Sequence, residues 1–256
     1  MRQARGKLRF QASSERVDAN FIAEYFRLGD DLPRILSRIN KDEHIGEAIR
    51  AFRGLRIVRQ DPWECLISYM CATHANIPAV RNMIFNLSRR FGRKITLDGH
   101  ALYTFPKPTD LAGANLRGLR RCKLGFRAER ILQTSKMIAD EMFDLEALRG
   151  ADYEDAKSRL MSLPGVGQKV ADCVLLFSLD VLEAFPVDIW MKRIILKLYL
   201  GHFEQSFVEK ISGKGSIARK DYEKISSFGR GYFGEYAGYA QEYLFHYGRS
   251  QLKGEV

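Results

Sequence analysis

The chain has no long apolar run. Its longest, around Cys173–Phe177, falls far short of the roughly 20 residues a helix needs to cross a bilayer, so a soluble protein is expected. Paired cysteines are missing too. The four cysteines, at 65, 71, 122 and 173, form no Cys-x-x-Cys spacing and do not gather with histidine. That argues against zinc or an iron–sulfur cluster and predicts buried thiols in a reducing compartment. No internal repeat, low-complexity tract or Gly/Ser linker is present, so any domain division must lie in the fold. Acidic residues are in deficit: 31 Asp and Glu face 41 Lys and Arg, a net charge of +10. The excess is spread along the chain and not gathered in a tail. It favours an anionic partner, nucleic acid first and an acidic membrane surface second. At 256 residues there is room for one or two domains with a sizeable core. Met1–Arg16 carries several arginines before its first acid, Glu15, as a transit segment would. Against that, Lys7–Ala12 alternates like a strand, with Leu8, Phe10 and Ala12 inward.

What is plentiful is helical punctuation. Asp61-Pro62-Trp63-Glu64 reads as an N-cap, a first-position proline and a capping-box glutamate, opening a helix to about Thr73. Pro78 opens Ile77–Phe91, where Val80, Ile84 and Leu87 recur at helical spacing and Gly92 closes the segment. Ala19–Leu28, Leu32–Ile39 and Asp42–Phe52 read as three shorter helices, and Phe126–Phe143 and Asp152–Ser162 as two more. Residues 96–118 break the pattern, and Tyr103-Thr104-Phe105-Pro106-Lys107-Pro108 predicts a surface loop. Only Lys7–Ala12 and the surroundings of Ile57 read as extended. The predicted class is mostly α.

The most informative stretch is Ala156–Leu179. An amphipathic helix ends in Leu163-Pro164-Gly165-Val166-Gly167, and a second begins at Gln168-Lys169. Glycines on either side of Val166 let the backbone turn sharply and point free N–H groups outward, and such a nest at a helix N-terminus suits a phosphate. This is the helix-hairpin-helix pattern, used for sequence-independent contact with a DNA backbone; an ordinary αα-hairpin is the bland alternative. Lys169 sits in the first turn, where the helix dipole disfavours a cation. That field, with partial burial beneath Val170 and Leu163, is expected to lower its pKa and leave a neutral fraction able to act as a nucleophile. A plain cationic contact to phosphate is the alternative. Further on, Phe185-Pro186-Val187-Asp188-Ile189-Trp190 sets Asp188 directly before the periodic segment Ile189–Leu200. Capping alone accounts for Asp188. The same carboxylate, facing Lys169 across two packed helices, would stabilise positive charge developing on a sugar or take a proton from the amine.

Leu163–Lys169, Ala171-Asp172-Cys173 and Pro186-Val187-Asp188 together resemble the helix-hairpin-helix, Gly/Pro…Asp superfamily of DNA base-excision glycosylases. Three more stretches narrow the likeness to the 8-oxoguanine DNA glycosylase branch: Arg59-Gln60-Asp61-Pro62-Trp63-Glu64-Cys65-Leu66, Leu124-Gly125-Phe126-Arg127-Ala128 and Ala237-Gly238-Tyr239-Ala240-Gln241-Glu242-Tyr243-Leu244-Phe245. The resemblance runs over nearly the whole chain. It implies that Lys169 is the nucleophile, Asp188 the helping carboxylate, and the reaction bifunctional: attack on C1′ expels the base, a Schiff base forms, and β-elimination cuts the strand. It implies no metal and no cofactor. The four-cysteine cluster of the endonuclease III and adenine-glycosylase branches is missing here. Base extrusion is required, because C1′ is inaccessible in a stacked duplex. On a helix expected over Glu235–Tyr247, Gln241 and Phe245 stand i,i+4 on one face. By the resemblance Phe245 stacks on the flipped base, Gln241 bonds its Watson–Crick edge and Cys173 packs the opposite face; core packing is the alternative for Phe245. The resemblance also implies that Gly165, Val166, Gly167 and Gln168 contact the backbone, that Phe126 wedges into the gap, and that Arg127 meets the orphaned cytosine through its planar fork, a solvated helix-face arginine being the alternative.

Two departures stand out. His74-Ala75-Asn76-Ile77 replaces the family's frequent Asn-Asn-Asn-Ile, placing His74 and Asn76 among the DNA contacts, and Ala79 stands where an arginine is frequent. Both bear on opposite-base preference. At the start, at most the final strand of the family's N-terminal antiparallel β domain is expected, and with it goes the backbone carbonyl that reads N7–H of 8-oxoguanine; a shortened chain is the other explanation.

The expected fold is therefore mostly α: a remnant over 1–20, a lobe joining 21–60 to 166–256, and a lobe over 61–165 ending in the hairpin, with Lys169 at the cleft. Arg81, Arg89, Arg117, Arg120, Lys123, Lys192 and Arg193 are candidates for a phosphate-facing rim. The expected partner is double-stranded DNA containing oxidised guanine, bound by a monomer inside the cell, with no membrane. The rivals are a lyase-type glycosylase for another oxidised base and a non-catalytic helix-hairpin-helix binding module.

Overall fold

The computed structural model describes residues 1–4, 6–12, 14 and 17–251; Glu15 and Arg16 of the arginine-rich start lie outside the described residues. Strands β1 (Arg2–Ala4) and β2 (Lys7–Arg9) pair antiparallel, followed by helices α1 (Ala19–Tyr25), α2 (Leu32–Ile39), α3 (Glu43–Ala51), α4 (Pro62–Cys71) and α5 (Ile77–Phe91). A second hairpin, β3 (Lys94–Leu97) with β4 (His100–Tyr103), leads into α6 (Pro108–Ala112), α7 (Leu116–Arg121) and α8 (Arg127–Ala139). Then come α9 (Tyr153–Met161), α10 (Gln168–Ser178), α11 (Ile189–Leu198), α12 (Gln205–Ile211), α13 (Arg219–Phe233) and α14 (Ala237–Gln251). The chain is mostly α, and no described helix is long and apolar enough to cross a membrane.

Two compact units result, Met1–Gly29 with Cys71–Phe143, and Asp30–Met70 with Asp144–Val256. These bounds keep residues 144–165, and so α9, in the same unit as α10, whereas the sequence reading joined them to 61–143. The reason is direct packing of α9 on α10 within the hairpin.

Helix starts follow the capping chemistry closely. Asp31 accepts from Arg34 N (3.1 Å), Asp61 from Glu64 N (2.9 Å) and Asn76 from Ala79 N (2.9 Å), each satisfying an N–H that the first turn leaves unbonded. Other expectations need correction. The Leu8 side of the first strand does not face a core, since Leu8 is 39% exposed, and β1 with β2 makes a hairpin where a single strand was expected. The expected extended stretch around Ile57 is not a strand, although Ile57 is buried; nearby, Gln60 N donates to Phe177 O at 2.7 Å. The expected loop Tyr103–Pro108 is without helix or strand only over 104–107, and ahead of it Asp98 and Gly99, with φ of +52° and +75°, turn β3 into β4.

In the second unit α10 is buried at every residue from Val170 to Leu176, including Asp172. Each buried Leu or Val there contributes roughly 1.5–3 kcal/mol over an exposed one. Helix α14 reaches α10 through Gly238, where a Cβ would stand 2.1 Å from Leu176 Cδ1 and 2.9 Å from Ala184 O. Only a residue without a side chain permits that approach, and it sets the register of Gln241, one turn farther along α14.

Candidate active site

The hairpin between α9 and α10 turns at Gly165, in the left-handed region with φ +86°, and enters α10 through Gly167 in extended conformation. Buried Leu163 and Val166 pin the turn, with Val166 N donating to Leu163 O at 3.1 Å. No side chain caps α10, so its first N–H groups are left for an anion. Lys169, half-buried, stands in that first turn.

Asp188 caps α11, accepting from Met191 N at 2.8 Å through Oδ1. Its Oδ2 has no hydrogen-bond partner among the described residues. What joins Asp188 to Lys169 is Cys173, one turn beyond Lys169 on α10. Burial pushes the Cys173 thiol well above the ordinary thiol range; the Lys169 ammonium opposes that shift, while Cys65, Asp172 and Asp188 add to it. Both charges are thus felt at one buried sulfur.

The same place draws in two residues the sequence reading missed. Burial, and then Cys173, Cys65, Glu242 and Asp188, push the Tyr69 phenol well above its usual range, and its ring stacks on Phe177 with centroids 5.6 Å apart. Tyr69 lies in the apolar half of α4 and Glu242 beside Gln241, so only the proximity of Asp188 and Cys173 marks them. Gln241 is 5% exposed, and its Oε1 is buried with no hydrogen-bond partner. An unmade bond of this kind costs about 1–3 kcal/mol, so the carboxamide is held ready for a donor. Phe245 is half-buried, with the Arg249 guanidinium 5.4 Å from its centroid and 5.7 Å from that of Trp190. A cavity of about 610 Å³ in this unit, between α9 and α13, includes Gln168 in its wall but none of Lys169, Cys173, Asp188, Gln241 or Phe245.

In the first unit Phe126 is 56% exposed, an unusual position for a large ring, and lies 6.5 Å from His74, centroid to centroid. His74 takes a left-handed φ of +51°, and Asn76 spends its side-chain oxygen on the α5 cap. Arg127 is folded back: Nε and Nη2 donate to Thr73 O and Nη1 to Leu124 O, with Cζ 4.5 Å from the Phe126 centroid. Three of its five N–H groups are so engaged. Lys192 does not belong to any phosphate-facing rim. It is 2% exposed, and its Nζ donates to Ile211 O and Lys214 O. Among the described residues no cluster of His, Cys, Asp and Glu fit to hold a metal is found.

Comparison with known proteins gives a consistent result. The 8-oxoguanine DNA glycosylase N-terminal domain family matches residues 7–66, and the HhH-GPD superfamily base excision DNA repair protein family matches residues 67–212. A probable N-glycosylase/DNA lyase of Methanothermobacter thermautotrophicus is 33% identical, covering 82% of this chain and 68% of the relative. The N-glycosylase/DNA lyase of Saccharomyces cerevisiae is 32% identical, over 88% of this chain and 65% of its own length. Among solved structures, Clostridium acetobutylicum 8-oxoguanine glycosylase/lyase with double-stranded DNA containing cytosine opposite 8-oxoG superposes with TM-score 0.81 at 32% identity, over 93% of this chain and 77% of that one. MBOgg1 in complex with a low affinity DNA ligand gives TM-score 0.80 at 36% identity, over 90% and 74%. The chain thus spans about two thirds of the curated relatives it matches.

Proposed function

Because the chain belongs to the HhH-GPD superfamily of base excision DNA repair proteins, and within it to the N-glycosylase/DNA lyases, we propose that it excises 8-oxoguanine from duplex DNA and then nicks the strand. The observation that carries this reading is Lys169 in the uncapped first turn of α10 with Asp188 at the N-cap of α11, both charges acting on the buried Cys173. A primary amine and a carboxylate near one another are what sugar substitution needs.

In this reading the neutral Lys169 amine attacks C1′ and the glycosidic bond breaks, its electron pair leaving with the base. Asp188 Oδ2 balances the positive charge on the sugar as that bond lengthens, or takes the proton lost by the attacking amine. Ring opening gives a Schiff base between Lys169 Nζ and C1′. Loss of a C2′ proton then expels the 3′ phosphate oxygen, and water releases the lysine.

The flipped base stacks on Phe245 and offers the N1–H and N2–H donors of its Watson–Crick edge to Gln241 Oε1, completing the bond that side chain lacks. Cys173, kept as a neutral thiol by burial, packs the opposite face. The duplex phosphate rests on the N–H groups of Gly165–Gln168, Phe126 fills the vacated stack, and Arg127, His74 and Asn76 read the orphaned base. The protein acts as a monomer. A panel of otherwise identical duplexes carrying 8-oxoguanine, an oxidised pyrimidine or uracil tests the reading: excision and nicking at 8-oxoguanine above the others support it, and preferential release of another base overturns it.

A further inference from the structure

Asp172 is a carboxylate in the middle of a largely buried, apolar helix, one residue before Cys173 and three after Lys169, and it is completely buried. Its partners are specific. Tyr153 OH donates to Oδ1 at 2.7 Å, Lys157 Nζ donates to Oδ2 at 3.1 Å, and Tyr222 OH donates to Oδ2. Lys157 Nζ also donates to Tyr153 OH at 2.7 Å, so a charge pair and two phenols form one closed network.

The two tyrosines are not equivalent. Tyr153, on α9, bonds Asp172 and also meets the Ser226 hydroxyl of α13, but makes no bond to the backbone before Asp188. Tyr222, on α13, gives its one hydroxyl proton to Asp172 and accepts from Val187 N at 3.3 Å, the residue next to Asp188. Ser226, one turn on, adds a second tie from α13 to this segment by donating to Phe185 O at 3.0 Å. A continuous path of hydrogen bonds therefore runs from the Lys169 helix through Asp172 and Tyr222 to the backbone that presents Asp188.

We propose that Tyr222 is a positioning residue: its hydroxyl fixes Asp188 relative to Lys169 by joining Asp172 to the Val187 N–H. This rests on the reading of Lys169 and Asp188 as the reacting pair. Low dielectric and full satisfaction make such a network rigid, and a misplacement of about 1 Å between reacting groups costs of the order of 10²-fold in rate.

The test compares Tyr222→Phe with Tyr153→Phe. Each removes one phenol proton from Asp172 and keeps the ring, but only the first cuts the link to Val187. Expected for Tyr222→Phe are faster hydrogen exchange of the 185–189 amides and a loss of the order of 10–10²-fold in single-turnover excision of 8-oxoguanine, with duplex affinity unchanged. Tyr153→Phe keeps wild-type exchange in 185–189 and wild-type excision. Should Tyr222→Phe not fold, Ser226→Ala, which cuts the neighbouring tie, is read in the same way. Unchanged exchange at 185–189 in Tyr222→Phe overturns the proposal, as does an equal loss of excision in both variants. A wild-type protein inert on every lesion overturns the repair reading instead, and the exchange comparison still decides whether Tyr222 holds the segment.

Discussion

Two helices of the second unit begin in the same way. Asp61 caps α4 and Asp188 caps α11, each through Oδ1 to the backbone N–H three residues on, at 2.9 and 2.8 Å. Local geometry does not tell them apart. Their surroundings do: Asp61 is exposed before Pro62 and acts on the buried Cys65 thiol alongside another carboxylate, Glu64, whereas Asp188 is half-buried and acts on the buried Cys173 thiol opposite a cation, Lys169. A capping motif uses one carboxylate oxygen, and what the other oxygen faces decides whether the residue is only structural.

The largest effect that sharpens this contrast is at the amine. Lys169→Gln is expected to reduce strand nicking of an 8-oxoguanine duplex to the buffer background while binding of undamaged DNA persists, as gel electrophoresis and fluorescence anisotropy would record. Next comes the pair of caps. Asn caps nearly as well as Asp, so Asp61→Asn should leave both melting temperature and excision unchanged. Asp188→Asn should keep the melting temperature yet lower excision by the order of 10²–10⁴-fold, the range typical of a positioned acid or base. Equal activity in the two variants would reduce Asp188 to a cap.

A smaller change is expected at the pocket. Gln241→Ala removes the unsatisfied carboxamide, and excision of 8-oxoguanine should fall roughly tenfold to a hundredfold, equivalent to about 1–3 kcal/mol. Single-turnover excision of 8-oxoguanine by the variant and the wild type measures it.

The smallest effect lies beside Phe245. A hydrogen bond to Glu242 raises the His246 pKa above its ordinary 6.5, against opposing burial and Arg249. The folded state holds that proton more tightly than the unfolded one. The contribution is therefore complete below the unfolded value of about 6.5 and lost as pH rises through the higher folded one. The pair is substantially exposed, so the effect is at most about 1 kcal/mol. Thermal unfolding between pH 5 and 9, roughly the span around a histidine pKa, should show a shallow decline in the wild type that His246→Gln removes.

Much of this was legible in the sequence because start signals are chemical. Leu32–Ile39 and Ile77–Phe91 end where they were expected to, since Asp31 with Pro33 and Asn76 with Pro78 specify their first turns. The β3–β4 hairpin was missed because a two-residue Asp98-Gly99 turn leaves little sequence to either side, and the aromatic, proline-rich stretch after it dominates the composition. Helix α13 was not anticipated. Gly229, Gly231, Ser226 and Ser227 are weak helix formers, and tertiary burial of Tyr222, Ile225 and Phe233 outweighs that propensity. In the candidate site, the turn singled out Lys169 and the cap Asp188, while Gln241 and Phe245 came from the family resemblance, their i,i+4 spacing saying only that they share a face. The partners of Asp172 were not readable, because Tyr153, Lys157 and Tyr222 lie on separate helices and only folding assembles them. Lys192 misled for the opposite reason: a lysine in a basic stretch reads as solvated, while two backbone carbonyls hold it inside.

The most direct test of the central claim is covalent. Wild-type protein is mixed with a duplex carrying 8-oxoguanine, reduced with borohydride, digested with a protease and mapped by mass spectrometry. The account predicts a deoxyribose remnant bonded to the ε-amino group of Lys169, and no adduct from Lys169→Gln. A remnant on any other residue, or excision proceeding with no adduct at all, would contradict it.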